Sequence, residues 1–124
     1  KDVVRIPWAP TEDPAGKGSS GEVVWSNARQ EGYMTFRGLA ANDKAKEQYQ
    51  LWIFDAERDE KFPVDGGVFD VGAATAGQGG EVVVPITAKV AVRTPKLFAV
   101  TVEKPGGVVV SKRERIAVTA AVKG

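Results

Sequence analysis

Apolar and polar residues alternate along this chain in short stretches separated by glycine, proline and charged residues. The clearest stretch runs from Val82 to Val92, where an apolar residue recurs at every second position. A period of two is typical of strands, because successive side chains of a strand point to opposite faces, whereas helices have a period of 3.6. Since Pro85 has no backbone N–H to donate, this stretch is expected to be an edge strand, or two strands joined by a bend near the proline.

Other short runs predict the remaining strands and turns. Residues 22–26 and 32–39 are expected to form a hairpin in which Met34 and Phe36 alternate with polar residues. Further strands are predicted at 68–71, 96–104 and 116–122. Small-residue and glycine-rich connections are predicted at 72–80 and at the glycine pairs 66/67 and 106/107, where positive φ angles are expected.

Residues 49–54 differ from the other runs because they are apolar on both faces. Tyr49, Leu51 and Ile53 share one face, and Trp52 and Phe54 share the other. This pattern indicates a central strand. A core position is favoured for Trp52 over a ligand-stacking role, Trp25 is interpreted in the same way, and Trp8 is left unassigned.

The number and spacing of these runs predict an all-β fold. The predicted architecture is an immunoglobulin-like antiparallel β-sandwich of about seven to eight strands, with Trp52 and Phe98 in its interior. A small barrel is the alternative. The 124 residues suffice for one domain. Residues 22–124 are assigned to it, and residues 1–21, with a Pro-, Gly- and Ser-rich part at 9–22, to an extended N-terminal segment or linker.

Composition excludes several classes of function. The net charge of +1 lacks the basic excess that nucleic-acid binding requires. The absence of Cys and His removes Ser-His-Asp and Cys-His catalysis and thiolate or imidazole zinc sites. No apolar run is long enough to cross a bilayer, and the chain begins at Lys1 without a leader sequence, so it is expected to be part of a longer protein.

Acidic residues supply the remaining candidates for metal chemistry. Asp55, Glu57 and Asp59 occupy the first, third and fifth positions of a calcium-type loop, but Glu60 stands where glycine is needed and Gly66 where a bidentate glutamate is needed. A solvated charged loop is therefore favoured. No metal and no cofactor is predicted.

Two other charged features are weaker candidates. Glu103 with Asp70 or Asp55 is a conceivable carboxylate pair for glycoside hydrolysis, but no spacing selects it, and no enzyme is predicted. Residues 111–115, SKRER, resemble a phosphate-binding patch, yet a solvated turn between two strands is favoured.

Two separated motifs carry a resemblance to a known family. The stretch YQLWIFDAERDEKFPVDGGVFDV at 49–71, followed by FAVTVEKPGGVVVS at 98–111, resembles the C-terminal domain of the anti-sigma-K factor family. The positions that match the family pattern, all interpreted as structural, are Tyr49, Gln50, Leu51, Trp52, Gly67, Phe69, Phe98, Ala99, Val100, Thr101, Glu103, Gly106 and Gly107.

The resemblance implies a non-catalytic sensory or regulatory domain of a bacterial single-pass membrane protein, located outside the cytoplasm. In such proteins a cytoplasmic segment, which this chain lacks, holds an extracytoplasmic-function sigma factor inactive, and a membrane helix lies upstream. A protease or a sensory partner outside the membrane is then expected, with residues 9–22 next to the membrane as the segment whose access is controlled. The alternative is an exported binding or adhesion module.

Overall fold

The computed structural model describes residues 2–72 and 80–123, and all regular structure in these ranges is β-strand. The predicted all-β class is therefore confirmed. The nine strands of the described residues are β1 (Val3–Pro7), β2 (Ala9–Pro10), β3 (Ser20–Ser26), β4 (Glu31–Arg37), β5 (Gln48–Asp55), β6 (Val64–Phe69), β7 (Glu81–Pro85), β8 (Pro95–Glu103) and β9 (Ile116–Ala121).

The strands form two antiparallel sheets. One has four strands in the order β1-β3-β4-β7, and the other has five in the order β2-β9-β8-β5-β6. Each sheet keeps two edge strands, so the protein is the predicted β-sandwich and not a closed barrel. The side chains buried in the main core cluster include Trp25, Phe36, Leu51, Ile53 and Phe98.

The N-terminal residues belong to both sheets. β1 pairs with β3 along its whole length, and β2 pairs with β9. Between them Trp8 is buried, stacks on Phe36 with 5.3 Å between ring centroids, and donates its indole N–H to the carbonyl oxygen of Thr35 at 3.1 Å. Residues 1–21 were expected to be an extended N-terminal segment or linker outside the sandwich domain, whereas Val3–Pro7 and Ala9–Pro10 are strands of its two sheets. Sequence periodicity missed them because β2 has only two residues and β1 is a lightly buried edge strand.

The predicted hairpin is confirmed. β3 and β4 pair in register from Ser20 to Ser26, and Met34 and Phe36 are buried in the core. One face of the hairpin therefore packs into the core, whereas on the other face Tyr33 is exposed but Val24 and Thr35 are still buried.

The long alternating stretch gives one edge strand only. β7 pairs with β4 and ends at Pro85, so the edge-strand interpretation is confirmed for residues 81–85. Residues 86–94 are irregular, and the apolar alternation there does not form a strand, with Val90 exposed. Pro85 removes a donor where the ladder would continue. The predicted loop at 72–80 falls mostly on residues 73–79, which lie outside the described residues.

Candidate functional site on the outer face of the five-stranded sheet

β5 is buried on both of its faces, as predicted for a central strand. It lies between β8 and β6, and its inner face, with Tyr49, Leu51 and Ile53, packs against the four-stranded sheet. Trp52 and Phe54 form a second buried cluster with Ala99 on the opposite face. We call this opposite side of the five-stranded sheet its outer face. Trp52 was expected between the sheets beside Phe98; it is buried, but on the outer face.

A loop covers the outer face where a sandwich normally meets solvent. Residues 104–115, which we call the cover loop, connect β8 to β9 and fold back over β5. The side chain of Gln50, 1% exposed, binds both backbone groups of Val108: its Nε2 donates to the carbonyl oxygen (3.0 Å) and its Oε1 accepts from the N–H (2.9 Å). Gln48 Oε1 accepts a further hydrogen bond from the N–H of Gly106. The two glutamines thus provide the cover loop with the backbone partners that a neighbouring strand would otherwise give.

The first turn of the cover loop requires its two glycines. Gly106 and Gly107 have φ angles of 88° and 78°, which confirms the predicted positive values. A Cβ on Gly107 would lie 2.6 Å from Cγ2 of Val68 and 2.7 Å from Oε1 of Gln50, whereas a Cβ on Gly106 would meet nothing within 4 Å. Gly107 is therefore needed for both its conformation and its small size.

The other glycine pair serves a bulge between β5 and β6. Leu51 pairs with Gly67 and Trp52 with Asp65, so Gly66 is the extra residue. Gly67 has a φ of 115°, as predicted, but the prediction of a positive φ is wrong for Gly66. Gly66 is needed for space instead, because a Cβ there would lie 2.6 Å from Cδ2 of Leu51.

The two motif strands lie side by side on this face. β5 pairs with β8 so that Trp52 is opposite Ala99 and Gln50 is opposite Thr101. The indole N–H of Trp52 donates to the hydroxyl oxygen of Thr101 at 2.9 Å. At the end of β8, Glu103 accepts a hydrogen bond from the hydroxyl of Ser111 in the cover loop.

The motif residues therefore divide by the direction in which their side chains point. One group enters the core between the sheets: Tyr49, Leu51, Phe69, Phe98 and Val100. A second group lies on the outer face, along the two strands that the cover loop overlies: Gln50, Trp52, Ala99, Thr101 and Glu103. The glycines of the motif form the bulge and the turn: Gly67, Gly106 and Gly107.

Arg113 is held in an unusual conformation over this face. Its guanidinium carbon lies 4.8 Å from the ring centroid of Phe54, and its Nη2 donates to the carbonyl oxygen of Glu60. Its backbone has a φ of 55°, which is uncommon for a residue with a side chain. Its Nε is buried and has no hydrogen-bond partner among the described residues. A charged donor left unpaired in this way is energetically costly.

A pocket of about 250 Å³ lies between Arg113 and the sheet. Most of its wall is apolar and consists of Trp52, Phe54, Leu97, Ala99 and Ile116. Three charged residues line it as well: Arg113, Lys96 and Glu60. The last two form an ion pair at 2.8 Å, and the hydrogen bond from Lys96 lowers the pKa of the Glu60 carboxyl. The ring of Trp52 is 1% exposed, so a ligand cannot lie on its face as the stacking hypothesis required.

A second arginine of the cover loop forms ion pairs that connect the loop to the N-terminal residues. Arg115 pairs with both oxygens of Asp13 (Nε to Oδ2 2.9 Å, Nη2 to Oδ1 3.0 Å) and with Glu47 (3.1 Å). These hydrogen bonds from Arg115 hold the pKa of Asp13 below its ordinary value. Nearby, Tyr49 donates its hydroxyl to the carbonyl oxygen of Ala40 at 2.6 Å, and burial, with the carboxylate of Glu47, raises its pKa to about 12.

The predicted solvated turn at SKRER is wrong for its two arginines. Arg113 stacks on Phe54, and Arg115 bridges two carboxylates. Ser111 is buried as well. Charge alternation alone gave no sign of this, because the partners of the arginines are distant in sequence.

The acidic residues considered for a calcium-type loop, and set aside in favour of a solvated loop, do not converge. Asp55 is 3% exposed, and its carboxylate accepts hydrogen bonds from the backbone N–H groups of Glu57, Arg93 and Thr94. Burial alone raises the pKa of Asp55, but these donors outweigh it and lower the pKa overall. Asp59 instead accepts from the backbone N–H of its own turn. The described residues contain no group of three acidic side chains placed to hold a metal ion.

The carboxylates considered for hydrolysis all accept hydrogen bonds from other parts of the fold. Glu103 and Asp55 lie at opposite ends of the β5–β8 ladder. Asp70 accepts hydrogen bonds from Asn42 and Gln48, which lower its pKa.

The outer face of the four-stranded sheet has a larger, shallow depression of about 730 Å³. Val24, Tyr33 and Pro85 lie along it, and Val83 beside them is 59% exposed. Among the described residues, the hydrogen bonds at this depression, such as that from the Ser26 hydroxyl to Asp2, are exposed, in contrast to the buried contacts of the other outer face.

Comparison with known proteins decides the family. The family model described as anti-sigma-K factor RskA, C-terminal, matches residues 2–114. The chain belongs to this family. The RskA C-terminal match includes β1 to β8 and nearly the whole cover loop, and it ends just before Arg115 and β9. Searches of curated proteins and of solved structures return no match. The anti-sigma factor family is regulatory and is associated with membrane proteins. In residues 2–72 and 80–123 no helix has the length and apolar character that crossing a bilayer requires.

Proposed function

We propose that this domain is the non-catalytic, extracytoplasmic regulatory part of a membrane-anchored anti-sigma factor that controls an extracytoplasmic-function sigma factor. The observation that carries the proposal is the family match over residues 2–114. The sigma factor is bound by a cytoplasmic segment outside this chain, and the domain acts on it through the connecting membrane helix. A fold built from hydrogen-bonded loops and a closed core, with no Cys or His in the chain, fits a regulatory role.

The structure changes the expected form of this control. Residues 9–22 were expected to be a linker or long loop next to the membrane, to which the domain controls access. Instead Ala15 and Ser19 are buried, and Asp13 is paired with Arg115. A protease therefore reaches this segment only after it detaches from the sandwich. In our proposal, the signal increases the fraction of molecules in which this segment is detached from the sandwich.

The experiment deletes residues 2–123 from the full-length protein and measures transcription from a promoter that depends on the cognate sigma factor. The proposal expects the response to the signal to be lost while the cytoplasmic segment still binds sigma factor. An unchanged response after the deletion contradicts it. A finer test substitutes Asp13→Asn, with Glu12→Gln as the matched control because Glu12 is an exposed neighbouring acid. Asp13→Asn is expected to increase cleavage and transcription without signal, and Glu12→Gln to leave both unchanged.

The alternative function is an exported binding or adhesion module. The exposed Tyr33 and Val83 on the outer face of the four-stranded sheet favour it. The gene sequence upstream of Lys1 separates the two. A membrane helix and a sigma-binding region there support the regulatory domain, and a signal peptide directly upstream supports the binding module.

A further inference from the structure

We propose that the pocket beneath Arg113 binds a small molecule that combines an apolar body with a carboxylate group, and that the guanidinium of Arg113 holds the carboxylate. The proposal concerns binding alone and goes beyond the regulatory function. The two proposals can fail independently. A domain that binds no carboxylate can still regulate a sigma factor, and a domain that binds a carboxylate need not regulate a sigma factor.

The walls of the pocket define the body of the ligand. Leu97, Ile116 and Phe54 offer apolar contacts, and the volume of about 250 Å³ is below the range of roughly 300–1,000 Å³ typical of sites for drug-sized molecules. A compact aliphatic or aromatic acid therefore fits this site better than a peptide or a sugar chain.

The charges of the pocket define the head group. Lys96 is already paired with Glu60, whereas Arg113 forms no salt bridge with an acidic side chain of the described residues. Two cations against one anion leave an excess positive charge at the pocket. A carboxylate on the ligand would neutralise this excess.

The conformation of Arg113 is the third argument. Its positive φ and its unpaired Nε each raise the free energy of the folded state, and both occur at this one residue. Costs of this kind cluster at ligand sites, where the bound group compensates them. A guanidinium stacked on an aromatic ring keeps its planar edge of N–H groups for a carboxylate, which accepts two of them at once. Because Nε is buried and Nη2 donates to Glu60, the guanidinium has to reorient to form such a pair with a ligand.

The test titrates the chain with benzoate and with its neutral counterpart benzamide, and follows ¹H–¹⁵N NMR signals. The reporters are the indole N–H of Trp52 and the Nε–H of Arg113, and the indole of Trp25 in the core is the internal control. We expect saturable shifts at the two reporters with benzoate, and binding of benzamide at least about tenfold weaker. No saturable shift, equal binding of the two compounds, or shifts confined to Trp25 would overturn the proposal.

Two variants test which positive charge binds the carboxylate. Arg113→Gln is expected to weaken benzoate binding at least about tenfold, and Lys112→Gln, an exposed neighbour in the same loop, less than about twofold. Equal effects of the two variants would show that only the general surface charge matters and would overturn the proposal. If Arg113→Gln does not fold, Arg113→Lys replaces it, because lysine keeps the charge and loses the planar fork; undiminished binding there contradicts the proposed bidentate pair.

Discussion

The two faces of the β5–β8 strand pair are both buried, but they are stabilised in different ways. The inner face presents Leu51, Ile53 and Phe98 to another sheet, and contacts there are apolar and non-directional. The outer face presents Gln50 and Trp52 to a loop, and contacts there combine a small apolar cluster with hydrogen bonds to specific partners. The stability of the inner face therefore depends on how well apolar side chains fill the space between the sheets. The stability of the outer face depends more on the geometry of its hydrogen bonds.

This difference predicts different responses to substitution. Removing volume from the inner face weakens the whole fold, because both sheets lose contacts. Removing a polar group from the outer face releases the cover loop first, because the sheets remain packed without it. The four predictions below test this distinction, from the largest expected effect to the smallest.

Phe98→Ala is expected to lower the free energy of unfolding by about 3–5 kcal/mol, because it leaves a cavity between the sheets. Urea denaturation followed by tryptophan fluorescence measures this. Val109→Ala is the control, since Val109 is 92% exposed and its loss should cost less than about 0.5 kcal/mol. If the two substitutions lowered the free energy of unfolding by similar amounts, the proposed difference between the core and the cover loop would be contradicted.

Gly107→Ala is expected to cost about 2–4 kcal/mol, from its left-handed backbone and from the clash of the new Cβ with Gln50 and Val68. Gly106→Ala shares the backbone cost and not the clash, so about 1–2 kcal/mol is expected. Thermal or chemical unfolding of the two variants gives the comparison. A cost for Gly106→Ala equal to or above that for Gly107→Ala would contradict the close approach of the turn to β5.

Gln50→Leu is expected to cost about 2 kcal/mol, because the two backbone groups of Val108 lose their partner. Hydrogen exchange should show the amide of Val108 losing protection while the amides of β5 and β8 keep theirs. Gln48→Leu is the matched control, and a smaller effect is expected because its bond to Gly106 is exposed. Equal loss of protection throughout both strands would mean that the cover loop and the core unfold together.

Asp13→Asn is expected to cost about 0.5–1 kcal/mol at neutral pH, a modest value because the Arg115 side chain is 41% exposed. The pKa of Asp13 is lowered in the folded state, so its contribution is complete above the unfolded pKa of about 4 and disappears as the pH falls through the folded value. The difference in unfolding free energy between the wild type and Asp13→Asn should therefore shrink below about pH 4. A difference that stays constant down to pH 2 would exclude the ion pair as its cause.

The same contrast explains what could be predicted from the sequence. The inner face was predictable because alternation and bulk in residues 49–54 and 96–104 are local patterns. The two-sided burial of β5 and the positive φ of Gly106 and Gly107 followed from the same local chemistry.

The outer face was not predictable in this way. The bond from Gln50 to Val108 and the stacking of Arg113 on Phe54 join residues 58 and 59 positions apart in the chain, and no periodicity encodes them. The motif positions did contain the outward residues Gln50, Trp52, Thr101 and Glu103, but alternation does not tell which of the two faces of a strand meets the other sheet. Arg113 and Arg115 were missed because a charged run was interpreted as solvated.

The N-terminal strands have a mechanical consequence. β1 is an edge strand of one sheet and β2 an edge strand of the other, with Trp8 anchored between them. A pulling force on the amino end would therefore reach β1 first, and would then meet the buried Trp8 and the Asp13–Arg115 pair as further points of resistance. The domain can in this way yield in steps under tension, with its central strands still closed.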